Sequence, residues 1–298
     1  ISVGKSQYIS NFLIKGTHHH IDNLFCSERI KYAASKEILF NKKIENDVND
    51  HKEKYINIGY MSSLIPSKGF HIVAKEWLEI KKLCMQKKII PRLDVIGGSG
   101  LYGFEEDHEF LPCSKEYGNL IYKLIGPEIN KTVFFHGIMK GERYNLMSKC
   151  DLAIVNPSGE GEAFPATILE WYSLGIPVIS TLNYGCADAM RYSGELVINQ
   201  FKEIKEKILY FIKLDSYSKG ILKKKCISTA TLFSANKEYI LNEWIMLILF
   251  PKFNFKINEY LPFNVIINNV IKFFKLNIKG CLKKIKKILM SIFEYKFY

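Results

Sequence analysis

Two glutamates, Glu162 and Glu170, stand eight positions apart in the run Asn156-Pro-Ser-Gly-Glu-Gly-Glu-Ala-Phe-Pro-Ala-Thr-Ile-Leu-Glu170. Pro165 suits the first position of a helix, where its missing N–H costs nothing, and Gly175 suits the residue just past the end. The expected helix therefore covers 165–174. Glu162 then lies in the loop facing the helix N-terminus, where unpaired N–H groups and the positive end of the dipole favour a phosphate. Glu170 lies about two turns deeper, roughly 8 Å along the axis. This spacing sets one carboxylate near whatever hangs off a bound diphosphate and the other near a ribose on its far side. Spacing alone leaves the alternative of two solvated side chains.

A cation for such a diphosphate is available in Lys68, which ends the run Ser62-Ser-Leu-Ile-Pro-Ser-Lys68 and precedes Gly69. Its ammonium is a compact charge on a flexible stem and binds phosphate as a point charge. Other candidates carry less. Gly98-Ser-Gly-Leu-Tyr-Gly103 has the spacing of a dinucleotide-binding loop, but the acidic run that follows, ending in Pro112, offers no helix face to receive a pyrophosphate. His18-His-His20 has no spaced partner ligands, and Ser99 and Ser158 lack a nucleophile elbow or a nearby histidine.

The elements that must position these groups alternate along the chain. Strand-like runs fall at about 55–62, 92–97, 132–136, 151–156, 177–181 and 194–198, with helix-like runs between them. Val73, Trp77, Ile80 and Cys84 recur at helical spacing and make one apolar face. Such alternation predicts an α/β fold with a doubly wound parallel sheet, whose ligands bind beyond the carboxyl ends of the strands. Lys68, Gly98, Gly137 and the stretch from Ser158 to Glu162 all follow expected strand ends, so they can converge on one cleft.

Composition is compatible with this reading. The chain has 298 residues, 48% of them hydrophobic, enough for more than one core. Its seven cysteines are odd in number and form no C-x-x-C pair, which fits reduced thiols. No apolar run approaches the roughly 18 residues of a membrane span. The net charge of +12 is uneven: residues 251–298 hold ten lysines against two acidic residues. There Leu282, Ile285, Leu289 and Ile292 form an apolar stripe opposite Lys283, Lys284, Lys286 and Lys287. This basic amphipathic pattern suits an anionic membrane surface, or equally a terminal helix packed on another domain. The basic residues lack the motifs of nucleic-acid readers, and no nucleic acid is expected.

Taken together, Ser62 to Gly69, Leu93-Asp-Val-Ile-Gly-Gly98, Val133-Phe-Phe-His-Gly137 and the segment from Asn156 to Ser180 resemble, in order, the donor-site motifs of glycosyltransferase family 4, retaining enzymes of the GT-B fold. The similarity runs from about Tyr55 to Leu249, with Phe233, Ser234 and Trp244 where that family often has its closing helix. The resemblance implies transfer of a sugar from a UDP-, GDP- or ADP-sugar to a glycan or lipid-linked acceptor, with retention of configuration and no metal or other cofactor. It implies catalytic parts for Glu162 and Lys68. It also implies a donor site of Ser63, Lys68, Gly98, Gly137, Glu162, Ala163, Phe164, Pro165 and Glu170, in which Glu170 accepts from the ribose and Glu162 with the 163–165 backbone holds the sugar. Two positions depart from the family pattern: Ser63 stands where many members have an arginine, and Pro165 where they usually have glycine. Arg143 is a candidate to replace the missing cation. The implied division is 1–50 as a remnant of an N-terminal acceptor domain, 51–250 as the donor-binding domain and 251–298 as the tail. A chain lacking most of the acceptor domain is expected to be inactive by itself. The implied location is cytoplasmic or peripheral on a membrane, and the alternative function is a noncatalytic nucleotide-sugar-binding or membrane-scaffolding module.

Overall fold

The computed structural model describes residues 25–28, 30–31, 54–99, 108–160, 162, 164–182, 185–190 and 196–235, together with 238, 240–242 and 244–245. The chain divides into two units, Ile1–Lys237 and Glu238–Tyr298. The described residues of the second unit are helical.

In the first unit six strands form one parallel sheet: β1 (Lys54–Met61), β2 (Ile89–Ile96), β3 (Val133–Gly137), β4 (Leu152–Ile154), β5 (Val178–Thr181) and β6 (Val197–Ile198). Their order is β3-β2-β1-β4-β5-β6, and every pairing is parallel. The helices between and after them are α1 (Phe70–Met85), α2 (Lys115–Ile125), α3 (Arg143–Ser148), α4 (Ala166–Ser173), α5 (Gly185–Met190), α6 (Glu203–Lys213) and α7 (Ser216–Ala235), the last two following β6.

Each strand alternates its side chains between two buried faces. Ile56, Ile58 and Tyr60 of β1 meet Val73, Trp77 and Ile80 of α1, Ile121 of α2 and Ile208 of α6 in one core. Met61, Ile96 and Ala153 point the other way, toward Met147 of α3, Trp171 and Tyr172 of α4, Cys186 of α5 and Cys226 of α7. Two cores on opposite faces are what a doubly wound sheet requires, and the Rossmann-like fold expected from the alternation is the fold observed.

Strand β2 starts at Ile89, ahead of the expected start near 92. The proline pairs with Ile56 of β1, while pairing to β3 begins only at Leu93. Pro91 therefore sits where β2 has a neighbour on one side only, and its missing N–H interrupts no ladder there. Helix α4 lies close against β1: a Cβ on Gly59 would stand 2.3 Å from Trp171, so only glycine admits the indole there.

This arrangement fixes where a ligand can bind. Strands β1 and β4 are neighbours in space but not in sequence, so the winding reverses between them. In open α/β sheets ligands bind at such a switch point, here beyond Met61 and Ile154.

Candidate functional site

From the end of β1 the chain runs through 62–65 into a single 3-10 turn, Pro66–Lys68, closed by Gly69 in the left-handed region at φ 77°. The hydroxyl of Tyr60 donates to the Lys68 carbonyl at 2.8 Å. Burial raises that phenol's pKa well above its ordinary value and keeps it a protonated donor. So anchored, the Lys68 ammonium reaches Glu162 Oε2 at 2.9 Å, with the two side chains 15% and 17% exposed. Gly69 serves two needs at once, its positive φ and a close approach: a Cβ there would lie 2.9 Å from the Ser158 backbone nitrogen.

Glu162 belongs to the loop after β4, and that loop is built around Asn156. This fully buried asparagine adopts φ 37°, a conformation its side chain tolerates better than most. Its Oδ1 accepts from Ser158 Oγ at 2.8 Å and from the Gly159 N–H at 3.1 Å. Its Nδ2 donates to the Glu160 carbonyl and to Glu162 Oε2, both at 3.2 Å. Ser158 Oγ also bonds the Ser67 carbonyl, which ties this loop to the one after β1. The Glu162 carbonyl accepts from the Gly185 N–H at 3.0 Å, at the start of α5. Behind the ion pair lies Cys186, whose thiol burial pushes up to about 11, so it stays neutral.

Glu170 sits on α4, which starts one residue later than expected. Pro165 occupies the N-cap with a non-helical ψ of 87°, and the helix ends at Ser173, with Gly175 shortly after it at φ 73°. Arg143 of α3 donates to Glu170 Oε1 at 3.3 Å. The other oxygen, Oε2, is buried and has no hydrogen-bond partner. Burial raises the pKa of this carboxyl, and the neighbouring Arg143 opposes the rise. Arg143 is further held by the Lys140 carbonyl and the Tyr144 hydroxyl, each at 2.8 Å. Its guanidinium is thus paired with Glu170, as the Lys68 ammonium is with Glu162.

The remaining expected residues fall in distinct places. The Gly98 carbonyl accepts from the Leu64 N–H at 2.9 Å and the Gly137 carbonyl from the Gly97 N–H at 2.8 Å, so the loops after β1 and β2 and the end of β3 are laced together. Ser63 is half-buried in the first of these loops. Phe164 is a core residue packed on Phe233, with ring centroids 5.5 Å apart, so only its backbone is available to a ligand. Ala163, His18–His20, the 1–50 segment apart from 25–28 and 30–31, and the 251–298 tail lie outside the described residues. Among the described residues no group of three or more His, Cys, Asp or Glu could hold a metal ion, six cysteines are free thiols, and no helix is long and apolar enough to cross a membrane. Sequence reading singled out neither Asn156 nor Tyr60. For Asn156 the signal was present, an asparagine opening an Asn-Pro-Ser-Gly turn; for Tyr60, one residue of a buried strand, there was none.

The arrangement is thus two loops and a helix that bring a cation and two carboxylates to the switch point of a Rossmann-like sheet. A model of the family described as glycosyl transferases group 1 matches residues 41–231, well over half of the chain. In fold the chain is similar to Anabaena Alr3699/HepE, solved with UDP-glucose (17% identity, 83% of this chain and 63% of that one, TM-score 0.61) and with UDP and glucose (16%, 83% and 62%, TM-score 0.60). It is also similar to a glycosyltransferase from Rickettsia africae ESF-5 (17%, 82% and 61%, TM-score 0.57). At these identities the likeness is one of fold, and the chain spans less than two thirds of each of these proteins. No curated protein matches it in sequence.

Proposed function

Since this chain belongs to the glycosyl transferases group 1, we propose that it binds a nucleotide diphosphate sugar at the β1/β4 switch point and serves in transfer of that sugar to a glycan or lipid-linked acceptor with retention of configuration, as family 4 enzymes do. The observation that carries this reading is the Lys68–Glu162 pair, 2.9 Å apart and largely withdrawn from solvent where the two loops meet. Lys68 is the phosphate ligand, and the start of α4 adds the positive end of the helix dipole for the same negative charge. Glu162 accepts from a hydroxyl of the sugar, with the backbone of 163–165 beside it. Glu170 Oε2, buried without a partner, accepts from a ribose hydroxyl, and the glycine-bearing ends of β2 and β3, Gly98 and Gly137, together with Ser63, line the nucleotide.

On this reading the chemistry is electrostatic. As the bond from the anomeric carbon to the diphosphate breaks, negative charge grows on the leaving oxygens, and preorganised donors stabilise it more than they stabilise the intact donor. Lys68 and the helix N-terminus supply these donors without a metal. UDP-glucose bound to Anabaena Alr3699/HepE supports a nucleotide sugar as the ligand class. The Anabaena protein's bound base and sugar are its own, and UDP-, GDP- and ADP-sugars all remain candidates for this chain. In the proposed division 51–250 binds donor, 1–50 belongs to an acceptor-side domain, and the basic stripe in 251–298 meets an anionic membrane from the cytoplasmic side.

A second reading, a noncatalytic nucleotide-sugar-binding module, is favoured by one feature. Serine occupies position 63, and both arginines of the described residues, Arg92 and Arg143, are already paired with carboxylates, so among the described residues no unpaired arginine accompanies Lys68. Calorimetric titration with a panel of nucleotide sugars tests donor binding. Incubating the bound donor with lipid-linked and free glycans, and following sugar incorporation, separates enzyme from binding module.

A further inference from the structure

Glu162 does not hold its own position. Its Oε2 receives two donors, Lys68 Nζ at 2.9 Å and Asn156 Nδ2 at 3.2 Å, while Oε1 has no partner among the described residues. The asparagine uses its full capacity, two N–H donors and two acceptor positions, and all four partners lie within 156–162. A buried amide so committed has one available orientation, because turning it over would set its oxygen against two acceptors, the Glu160 carbonyl and Glu162 Oε2, and its nitrogen against the Gly159 N–H. Lysine alone could not do this: an ammonium on four methylenes swings freely and follows whichever anion approaches. A bound diphosphate would draw Lys68 away from the carboxylate.

We infer that Asn156 is a positioning residue for the donor's sugar, its amide fixing Glu162 so that Oε1 faces a sugar hydroxyl after Lys68 has turned to the phosphates. The inference rests on the reading of Glu162 as a sugar ligand. It adds a division of labour: Lys68 exchanges partners when donor arrives, while Asn156 does not.

Asn156→Asp provides the test. Aspartate keeps the shape, tolerates the left-handed backbone and retains an oxygen for Ser158 and Gly159, but replaces the N–H groups with a carboxylate against Glu162. Two carboxylates sharing a site cannot both ionise easily, so one holds its proton to higher pH. At pH 8 the repulsion should displace Glu162. Near pH 5.5 the shared proton restores a donor between the two oxygens. Other charged or titratable groups here are Lys68 and Cys186 beside Glu162, and His71 facing Glu160; all are common to parent and variant, so the comparison removes them.

The 298-residue chain is titrated by calorimetry with UDP-glucose and with UDP, or with the matching GDP or ADP pair if the panel selects that base. At pH 8 Asn156→Asp should bind the nucleotide sugar roughly tenfold more weakly, the size of one hydrogen bond to a charged group, with nucleotide affinity unchanged. The loss should shrink at pH 5.5. In a Glu162→Gln background, Asn156→Asp should add little, because the two act through one carboxylate. Parent-like affinity in Asn156→Asp at pH 8, while Glu162→Gln is impaired, overturns the inference. So does an equal loss for sugar and bare nucleotide in both backgrounds, which marks a merely structural role. If Glu162→Gln itself binds the nucleotide sugar as the parent does, the reading of Glu162 has failed, and the inference with it.

Discussion

Glu170 shows what burying a proposed binding residue costs. The carboxylate is mostly buried, Arg143 reaches one oxygen and the other has no partner. Burial holds its pKa above the ordinary carboxylate value, so between the unfolded and folded pKa the native state binds the proton and the unfolded state does not. Stability is therefore lost as pH rises through that window. Glu170→Gln, which cannot ionise, should melt higher than the parent at pH 8, with the difference closing as pH falls toward 4.5. Thermal melts of both chains across that range check this. A gap that is constant with pH would mean the carboxyl is not strained by burial. The same substitution should weaken donor binding by about 1–3 kcal/mol, the range for a charged hydrogen bond. The places of Glu162, Glu170 and Lys68, after strand ends and on a helix, were legible in the sequence because proline and glycine bracket them; their proposed roles came from the family resemblance. Asn156 was legible only as the opening of an Asn-Pro-Ser-Gly turn, since its four hydrogen bonds exist only once the loop has closed.

At the scale of elements, the site depends on two loops held edge to edge rather than on any helix alone. Gly69 is where they touch, with φ 77° and no room for a Cβ against Ser158. Gly69→Ala should cost about 1–2 kcal/mol from the left-handed backbone alone, and more if Ser158 must retreat. It should also weaken donor binding, because Lys68 is the preceding residue. Urea denaturation and donor titration check the two effects separately. Loss of stability with unchanged donor affinity would show that the loops can part without moving Lys68. The six strands were readable from apolar runs between turn residues, most to within a residue or two. The start of β2 was misread because Pro91 argues against a strand unless its neighbour on one side is missing, and that depends on where β3 begins. The start of α4 was misread by one residue for a related reason: proline fits both the N-cap and the first helical position, and ψ decides between them.

At the scale of the whole molecule, the charge is concentrated in the C-terminal part of the sequence, where residues 251–298 hold ten lysines against two acidic residues. The four lysines 283, 284, 286 and 287 oppose an apolar stripe in the sequence, and each lysine near an anionic surface contributes about 1 kcal/mol. Replacing these four with alanine should reduce sedimentation with phosphatidylserine-containing vesicles at low salt, with less difference at high salt, where exposed charges are screened. Equal sedimentation of the two chains would favour a tail that packs on protein. The central claim concerns the switch point, and one calorimetric experiment tests it most directly. The parent, Lys68→Ala and Glu162→Gln chains are titrated with UDP-, GDP- and ADP-sugars and with the bare nucleotides. The parent should bind one base. Lys68→Ala should weaken nucleotide and nucleotide sugar alike, and Glu162→Gln should weaken only the sugar form. Affinities that are the same in all three chains, or no binding of any nucleotide, would contradict the assignment of this crevice as a donor site.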